Sequence, residues 1–284
     1  MRILLKIADL LVVSNLYVAA GTYSLTWLTL QFYDYDRLEL PFFVFFSTLF
    51  AYNFMRLVRV DPMLKEGDSM RHKNIYSYKY WLWLFTFISA SLALFYFIKI
   101  YKPILYSVLF LGAISISYSL PIYKKEGVWL RLRDLPSVKI FLIAGVWATV
   151  TALLPMQVLK ISIDWLKVLE RFLFVFAITI PFDIRDLRFD ADRLGTLPQV
   201  FGLNNAKWIG LVALLVAEGL LFYDYFSSDI YSVFSVLAIY SSYEIAAILI
   251  LKSHPSLPER YFTIGVEGTS ILIAILFYLS IILW

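Results

Sequence analysis

The stretch "PFDIRDLRFDADRLGTLPQVFG", Pro181 to Gly202, carries four aspartates and three arginines between two strongly apolar segments. The apolar segments are Leu166–Ile180 before it and Ala206–Phe226 after it. Charged side chains are costly inside a lipid bilayer, whereas apolar segments of this kind are typical of membrane helices. We therefore predict that the acidic stretch joins two membrane helices at a membrane surface.

The composition of the whole chain supports a membrane protein. The 284 residues are 61% hydrophobic and 16% charged, whereas soluble domains average about 25% charged residues. The absence of cysteine excludes disulfides, thiolate catalysis, zinc–thiolate sites and iron–sulfur sites. The two histidines, His72 and His254, are far apart in sequence, which argues against a histidine-rich metal or haem site.

Nine apolar segments predict about nine membrane helices. Backbone groups in hydrocarbon need internal partners, so such segments form helices, and the alternation of a membrane barrel is absent. The first segment is predicted to be a retained helix rather than a cleaved signal, because Asp9 interrupts its start. The prediction is an all-α, polytopic membrane helical bundle with a single domain over residues 1–284. The segments are Leu10–Leu30, Leu40–Val58, Tyr80–Ile98, Ile104–Leu120, Val138–Leu154, Leu166–Ile180, Ala206–Phe226, Ile230–Leu251 and Thr263–Trp284.

The basic residues predict the orientation. With a cytoplasmic N-terminus, most of the 25 lysines and arginines fall on the cytoplasmic side, as the positive-inside rule requires. The connections on that side, residues 59–79, 121–137 and 182–205, are also longer than the external ones. We therefore predict an integral membrane protein with its N-terminus and its active face in the cytoplasm. The basic residues predicted on the external side are Arg37, Lys99, Lys102, Lys160, Lys167 and Arg171.

The aspartates of the opening stretch form a candidate metal site. Asp183, Asp186 and Asp190 are three and four residues apart, so on a continuing helix they share one face. Carboxylate oxygens suit Mg²⁺, which binds proteins through one or two carboxylates plus substrate phosphates. The alternative is a solvated loop in which arginines balance the aspartates. From the spacing alone, the solvated loop is the preferred interpretation.

The same stretch resembles the second aspartate-rich motif of the UbiA superfamily of intramembrane prenyltransferases. The motif has the form D-x-x-x-D, a glycine, a Thr/Ser-Leu-Pro-like stretch and another glycine. Asp186 and Asp190 match the two carboxylates, and Gly195, Thr196–Pro198 and Gly202 match the rest. The preceding "RD" is similar to the menaquinone-pathway branch. The chain departs from the family in one place, since Thr196 follows Gly195 directly where the family usually has two intervening residues.

Two further segments carry the resemblance. "YSLPIYKKEGVWLRLRDLP", Tyr118 to Pro136, is similar to the segment after the family's fourth helix, especially in chlorophyll synthase. "YNFMRLVRVD", Tyr52 to Asp61, occupies the place of the first motif, N-D-x-x-D-x-x-x-D. Asn53 and Asp61 match its asparagine and its last aspartate, while Phe54 and Leu57 replace the two carboxylates between them.

The resemblance implies a UbiA-like membrane bundle that transfers a prenyl group from a prenyl diphosphate to an aromatic or quinone-precursor acceptor with Mg²⁺. It implies a small lipophilic or aromatic acceptor and membrane lipid as partners, and no nucleic acid. Lys124 or Lys125 would contact diphosphate oxygens; the alternative for each is an anchor of the positive-inside kind. The implied catalytic residues are Asp186, Asp190 and Lys124; the substrate-binding residues are Asn53, Lys125, Arg185 and Tyr118; the metal ligands are Asp186, Asp190, Asp183 and Asp61.

Two other functions are compatible with the sequence. The loss of carboxylates at Phe54 and Leu57 would fit a UbiA-fold protein that has lost catalysis and binds a lipid or membrane partner. Glu218 and Glu244 lie inside predicted helices, where ionisable groups are functional candidates, and would fit a secondary transporter. Glu267 is predicted to be a capping or dipole residue at the start of the last helix.

Overall fold

A computed structural model describes residues 11, 14–65, 79–121, 123–125, 128–135, 137–188, 195–227 and 232–283. The described part is a bundle of long helices with one short hairpin. Most of these helices are rich in apolar residues around their whole circumference, as is typical of segments that face both protein and lipid. The predicted all-α membrane bundle is confirmed.

The helices follow one another along the chain with connections that differ in length. Two π-helical turns occur among the described residues: Thr149–Leu153 follows the helix that ends at Ala148, and Tyr261–Val266 leads into the helix that begins at Glu267. The hairpin is antiparallel, with Lys124 paired to Trp129. The elements are α1 Leu16–Gln31, α2 Glu39–Lys65, α3 Lys79–Ser119, β1 Tyr123–Lys125, β2 Val128–Leu130, α4 Val138–Ala148, α5 Leu154–Leu159, α6 Trp165–Asp186, α7 Leu197–Phe201, α8 Leu203–Ser227, α9 Val233–Lys252 and α10 Glu267–Leu283.

Six stretches of the described helices are long and apolar enough to cross a membrane. The helix α1 has only 16 residues, and α6 carries several charged side chains, so neither is among the six. The chain is therefore a polytopic integral membrane protein. The six are Glu39–Val58, Tyr80–Ser119, Val138–Leu159, Leu203–Ser227, Val233–Lys252 and Tyr261–Leu283.

One long element replaces two predicted helices. The predicted break after Ile98 is absent, because α3 continues through Pro103 to Ser119. Its length of roughly 60 Å at 1.5 Å per residue is about twice the thickness of a bilayer core. Proline removes a helical hydrogen bond and kinks a helix. Counted as two spans that meet near Pro103, α3 raises the six stretches to seven, and α1 and α6 bring the long helices of the described residues to about nine.

The bundle has two ends, which are named here by α6. The inner end carries Asp186, the last residue of α6, and the outer end carries Trp165, the first. The start of α2 is at the outer end, where Phe43 packs on Phe97 of α3 with ring centroids 5.5 Å apart. The inner end matches the predicted cytoplasmic face, and its assignment to the cytoplasm stays a prediction.

Threonines of α1 stabilise the π-helical turn between α4 and α5. A π turn leaves backbone carbonyls without the regular helical partner. Thr29 Oγ1 donates to the carbonyl of Thr151 at 2.7 Å, and Thr26 Oγ1 donates to that of Val150 at 3.4 Å. The wider turn is thus held in place by the neighbouring helix.

The outer end contains a cluster of buried charges. Lys167 Nζ lies 2.9 Å from Asp224 Oδ2, and Arg171 donates to the carbonyl of Leu25 at 3.0 Å. A cavity of about 10 Å³, enough for one water molecule, lies beside Glu170 and Arg171. Lys167 and Arg171 were predicted as charges of the external side. They do lie at the end opposite Asp186, but they are buried in the bundle, where they join α6 to α1 and α8.

Candidate functional site

The aspartates of α6 project from the last turn of that helix. The helix begins at Trp165, where the Asp164 carboxylate accepts hydrogen bonds from the backbone of Leu166 and Lys167, and it ends at Asp186. Asp183 and Asp186 are three residues apart and lie on one face, as predicted. The helix is the element that fixes both carboxylates at the inner end.

Lys139 of α4 holds the two aspartates together. Its Nζ donates to Asp183 Oδ1 at 2.9 Å and to Asp186 Oδ2 at 3.5 Å. The Asp183 side chain is only 3% exposed, while those of Lys139 and Asp186 are 23% and 22% exposed. A buried carboxylate needs such a partner, because an unpaired charge is costly in a low dielectric. The solvated-loop interpretation is therefore wrong for Asp183.

Arg185 completes this inner charge cluster. Its Nε donates to Asp186 Oδ1 at 2.7 Å, and its guanidinium lies 5.2 Å from the ring centroid of Phe182. The cluster of Asp183, Asp186, Lys139 and Arg185 is thus neutral in sum, with each carboxylate bound to a cation. Its two cations are positioned where an anionic ligand of the inner end would meet them.

Three side chains from other helices extend the cluster into a ring. Tyr118, near the end of α3, interacts electrostatically with Lys139 and with Tyr52 of α2. Tyr52 in turn interacts with Glu267 at the start of α10, and Glu267 interacts with Arg185. The Tyr52 hydroxyl also forms a hydrogen bond with Trp147 of α4. Side chains of α2, α3, α4, α6 and α10 therefore lie near one another at the inner end, and we call this group the polar ring. Its members are Tyr52, Tyr118, Lys139, Asp183, Arg185, Asp186 and Glu267.

The ring is partly open although it lies inside the bundle. Tyr52, Tyr118 and Glu267 are each partly exposed. The Arg133 guanidinium lies 5.7 Å from the ring centroid of Tyr118, and so places a further cation at this margin of the ring. The site combines paired charges on one side with tyrosines and a carboxylate on the other.

Asn53, predicted to bind substrate, lies in a separate buried group next to the ring. Its Oδ1 accepts from Asn15 Nδ2 at 2.8 Å, and its own amide donates to the carbonyl of Ser14 at 3.3 Å. Asn15 Oδ1 accepts from Arg56 at 2.8 Å. Asn53 is fully buried, so its amide orients Asn15 and, through it, Arg56. A direct contact between Asn53 and substrate stays a prediction.

The remaining predicted site residues are placed less completely. Lys124 lies on β1 with an exposed side chain, while only the backbone of Lys125 and of Asp61 is described. Asp190 lies outside the described residues. Among the side chains that are described, no three acidic or histidine groups converge. The predicted ligand set of Asp61, Asp183, Asp186 and Asp190 therefore stays a prediction.

The segments around the predicted motifs approach one another. Ser137 Oγ, just after the segment with the hairpin, donates to the carbonyl of Gly195 at 2.6 Å. Gly195 and Gly202 have φ values of 56° and 81°, which favour glycine. The two motif glycines are thus explained by backbone conformation, and the basic segment and the acidic stretch are neighbours at the inner end.

Sequence reasoning did not identify three members of the ring. Lys139 was counted only as a basic residue of the inner side, and Tyr52 was passed over for Asn53. Glu267 was predicted to cap the last helix, but helical residues begin at Glu259, so Glu267 lies two turns inside. An ionisable group inside an apolar segment was the signal that identified Glu218, and it applies equally to Glu267.

Glu218 and Glu244 lie away from the polar ring. Glu218 of α8 is buried and interacts with Glu244 of α9, whose own side chain is exposed on the outside of the bundle. Glu244 is a hydrogen-bond partner of Tyr240, one turn earlier in α9. Tyr243, the residue before Glu244, is stacked on Phe174 with ring centroids 4.9 Å apart.

Comparisons with known proteins agree on the fold. No protein-family model matches the sequence. No curated protein matches it. Solved structures do match over nearly the whole chain, at low sequence identity.

The matching structures are of UbiA homologs. The apo homolog from Aeropyrum pernix K1 has a TM-score of 0.65 and 14% identity, and the match covers 93% of this chain and 97% of that chain. The homolog from Archaeoglobus fulgidus bound to GPP and Mg²⁺ has a TM-score of 0.61 and 14% identity, with 95% and 96% covered. The same homolog bound to DMAPP and Mg²⁺ has a TM-score of 0.60 and 13% identity, with 96% and 97% covered. The chain has the fold of these UbiA homologs, and the resemblance to the superfamily is confirmed in the fold.

Proposed function

We propose that the protein is a Mg²⁺-dependent intramembrane prenyltransferase of the UbiA superfamily. The substrate would be a prenyl diphosphate, and the acceptor an aromatic or quinone-precursor molecule. The observation that carries the proposal is the pairing of Lys139 with Asp183 and Asp186 inside the inner end of the bundle. In the same fold, homologs bind the prenyl diphosphates GPP and DMAPP together with Mg²⁺.

The donor set of the polar ring fits a magnesium ion. Asp183 and Asp186 offer carboxylate oxygens, the ligands that Mg²⁺ prefers, and both already point to one cation, the Lys139 ammonium. These two side chains, with Asp190 and Asp61 as further proposed ligands, would hold the ion beside the phosphates of the substrate. When bound, Mg²⁺ would stabilise the negative charge that develops on the leaving diphosphate.

The basic side chains of the chain would bind the diphosphate itself. Lys139 and Arg185 lie at the ring, and exchange of an aspartate partner for a phosphate oxygen keeps each cation paired. Lys124 and Lys125 on β1 would reach the diphosphate from the inner surface. The bundle would keep water from the apolar prenyl tail, and so protect the reactive allylic carbon from hydrolysis.

The reaction exchanges one bond of the allylic carbon for another. The carbon–oxygen bond to diphosphate breaks, and its electron pair leaves with the diphosphate. The allylic carbon then bonds to the nucleophilic atom of the acceptor, which releases a proton. Aromatic rings such as Tyr118 would stabilise positive charge on the allylic carbon by about 0.5–2 kcal/mol each.

Transfer of labelled geranyl diphosphate to quinone precursors by purified protein tests the proposal. We expect prenylated product with Mg²⁺ and none after chelation with EDTA. Asp186→Asn removes one charge from a partly exposed position and should lower the rate by about a hundredfold. A wild-type protein that neither makes product nor binds prenyl diphosphate in a Mg²⁺-dependent way would contradict the proposal.

Asp164→Asn is the matched control, because it makes the same change at the other end of the same helix. Asp164 caps α6 through the backbone of Leu166 and Lys167. Since asparagine also caps helices well, stability should fall by less than about 1 kcal/mol. Turnover should stay within about twofold of wild type, since the change lies roughly 30 Å from Asp186 along the helix.

A binding protein without catalysis is the second candidate. Two carboxylate positions of the first motif are apolar here: Leu57 is 2% exposed, and Phe54 stacks on Phe50 with ring centroids 5.7 Å apart. Under this alternative, prenyl diphosphate would bind with Mg²⁺, and Asp186→Asn would abolish the binding, but no acceptor would be prenylated. The transfer assay therefore separates the two candidates.

A further inference from the structure

The cavity of the outer end lies between five helices of the bundle. Its volume is about 10 Å³, which is the space of one water molecule. Side chains of α1, α8, α9 and α10 supply its apolar walls, among them Leu221 and Ile239. Three polar side chains complete the lining: Glu170 and Arg171 of α6 and Tyr243 of α9. The cavity therefore brings polar groups of two helices to one small buried space.

Two of the polar groups that line the cavity have no hydrogen-bond partner in the described part of the chain. Tyr243 is 1% exposed, and its hydroxyl forms no hydrogen bond with another described residue. Glu170 is 8% exposed, and its carboxyl group likewise forms none. Its Oε2 atom lies 3.9 Å from Nε of Arg171, which is beyond hydrogen-bond length. Both are thus buried polar groups that need a further partner.

The size and the lining of the cavity identify that partner. Buried hydroxyl and carboxyl groups nearly always have a hydrogen-bond partner, because an unpaired group loses its hydration without compensation. Apolar cavities stay dry, whereas a polar cavity of this size holds a water molecule that makes about three hydrogen bonds. An ion is a poor occupant, because the lining contains both a carboxylate and a guanidinium, and an ion of either sign would meet a like charge.

We propose that Glu170 and Tyr243 form a binding site for one buried water molecule that bridges α6 to α9. The Tyr243 hydroxyl donates to the water oxygen, and the water donates to the Glu170 carboxylate. Arg171 lies beside the same space and is held by α1, since it donates to the carbonyl of Leu25 at 3.0 Å and to Thr29 Oγ1 at 3.4 Å. The site is at the end of the bundle opposite the paired aspartates, so the inference is independent of the proposed function.

X-ray radiolysis of the purified protein in detergent tests the inference. Hydroxyl radicals that form from a bound water oxidise the adjacent side chain even where bulk water has no access. Tyr243 should be oxidised at least about tenfold faster than Phe262, which is fully buried and does not line the cavity. Ile239→Phe fills the cavity and should lower the Tyr243 rate at least about fivefold. Ile250→Phe makes the same change at a buried position of α9 that does not line the cavity, and should leave the rate unchanged.

Mass spectrometry of the oxidised peptides gives each rate. Similar rates for Tyr243 and Phe262 in wild type would overturn the inference, because the cavity would then be dry. An unchanged Tyr243 rate in Ile239→Phe, or an equal fall in Ile250→Phe, would also overturn it, because the rate would then not depend on the cavity. Leu221→Phe fills the cavity from α8 and replaces Ile239→Phe if that variant does not fold. The wild-type comparison decides independently of every variant.

Discussion

The Nζ atom of Lys139 in α4 lies 2.9 Å from Oδ1 of Asp183 in α6. The two residues are 44 positions apart, and their bond joins the first turn of one membrane helix to the last turn of another. Asp183 is almost fully buried, so the bond joins the two helices inside the bundle at the inner end. It also holds Asp186, and thereby positions the charged half of the polar ring.

Removal of the lysine should destabilise the protein strongly. Lys139→Met keeps an apolar chain of similar length but leaves Asp183 buried without a cation. Breaking a buried pair in this way costs about 3–5 kcal/mol. The loss is measured by thermal unfolding in detergent. Addition of Mg²⁺ should restore part of the stability, since a divalent cation replaces the missing ammonium.

The double variant Lys139→Met with Asp183→Asn is the control for that effect. With both charges gone, the stability should recover by about 1–4 kcal/mol relative to Lys139→Met alone. If the two single losses simply add in the double variant, the two groups are not coupled and the bond does not stabilise the fold.

The buried pair at the outer end offers a contrast. Lys167→Met removes the partner of Asp224, which is 19% exposed, and should lower the stability by about 2–4 kcal/mol. Because Lys167 lies roughly 24 Å from Asp183 along α6, Mg²⁺-dependent binding of geranyl thiolodiphosphate should stay unchanged. Isothermal titration of Lys167→Met and Lys139→Met side by side checks this. A binding defect in Lys167→Met would mean that the two ends of α6 are coupled.

The fold was predictable because apolar segments of membrane length leave the backbone one solution, the helix. The continuation of α3 through Pro103 was not predictable, since proline is equally compatible with a loop and with a kinked helix. Asp183 and Asp186 were predictable as a pair because three-residue spacing on a helix fixes their common face. Their partner Lys139 was not predictable, because no short-range sequence pattern indicates which residues of different helices come into contact.

The charges of the outer end show a second limit. In the sequence, Lys167 and Arg171 look like basic residues of a loop. A count of basic residues on each side of the membrane cannot show that these two are buried. What decides their burial is the position of Asp224 on α8 and of open carbonyls on α1. Sequence patterns report the environment of a segment well, but they do not report pairings between distant segments.

Restoring the first-motif aspartates should have different effects at the two positions. Leu57→Asp buries an unpaired carboxylate in an apolar surrounding and should cost about 3 kcal/mol or more. Phe54→Asp loses only the partly exposed stack on Phe50, so about 1–2 kcal/mol is expected. Thermal unfolding of both variants in detergent checks the order. If Mg²⁺ made Leu57→Asp as stable as wild type, position 57 would face a cation site, contrary to its burial here.

Gly268 lies against Tyr17, so the effect of Gly268→Ala on stability should depend on the residue at position 17. A Cβ atom at Gly268 would collide with the Tyr17 hydroxyl, so Gly268→Ala must displace that hydroxyl from its bond to the carbonyl of Ile264. Loss of this hydrogen bond costs about 1 kcal/mol, and the displacement of Tyr17 adds strain. Together they outweigh the gain in helix propensity, which is at most about 1 kcal/mol. In a Tyr17→Phe background the hydroxyl is absent, and only the propensity gain remains. Gly268→Ala should therefore destabilise wild type but stabilise Tyr17→Phe, as measured by thermal unfolding of the four proteins of the cycle. The same sign in both backgrounds would show that the alanine is accommodated without moving Tyr17.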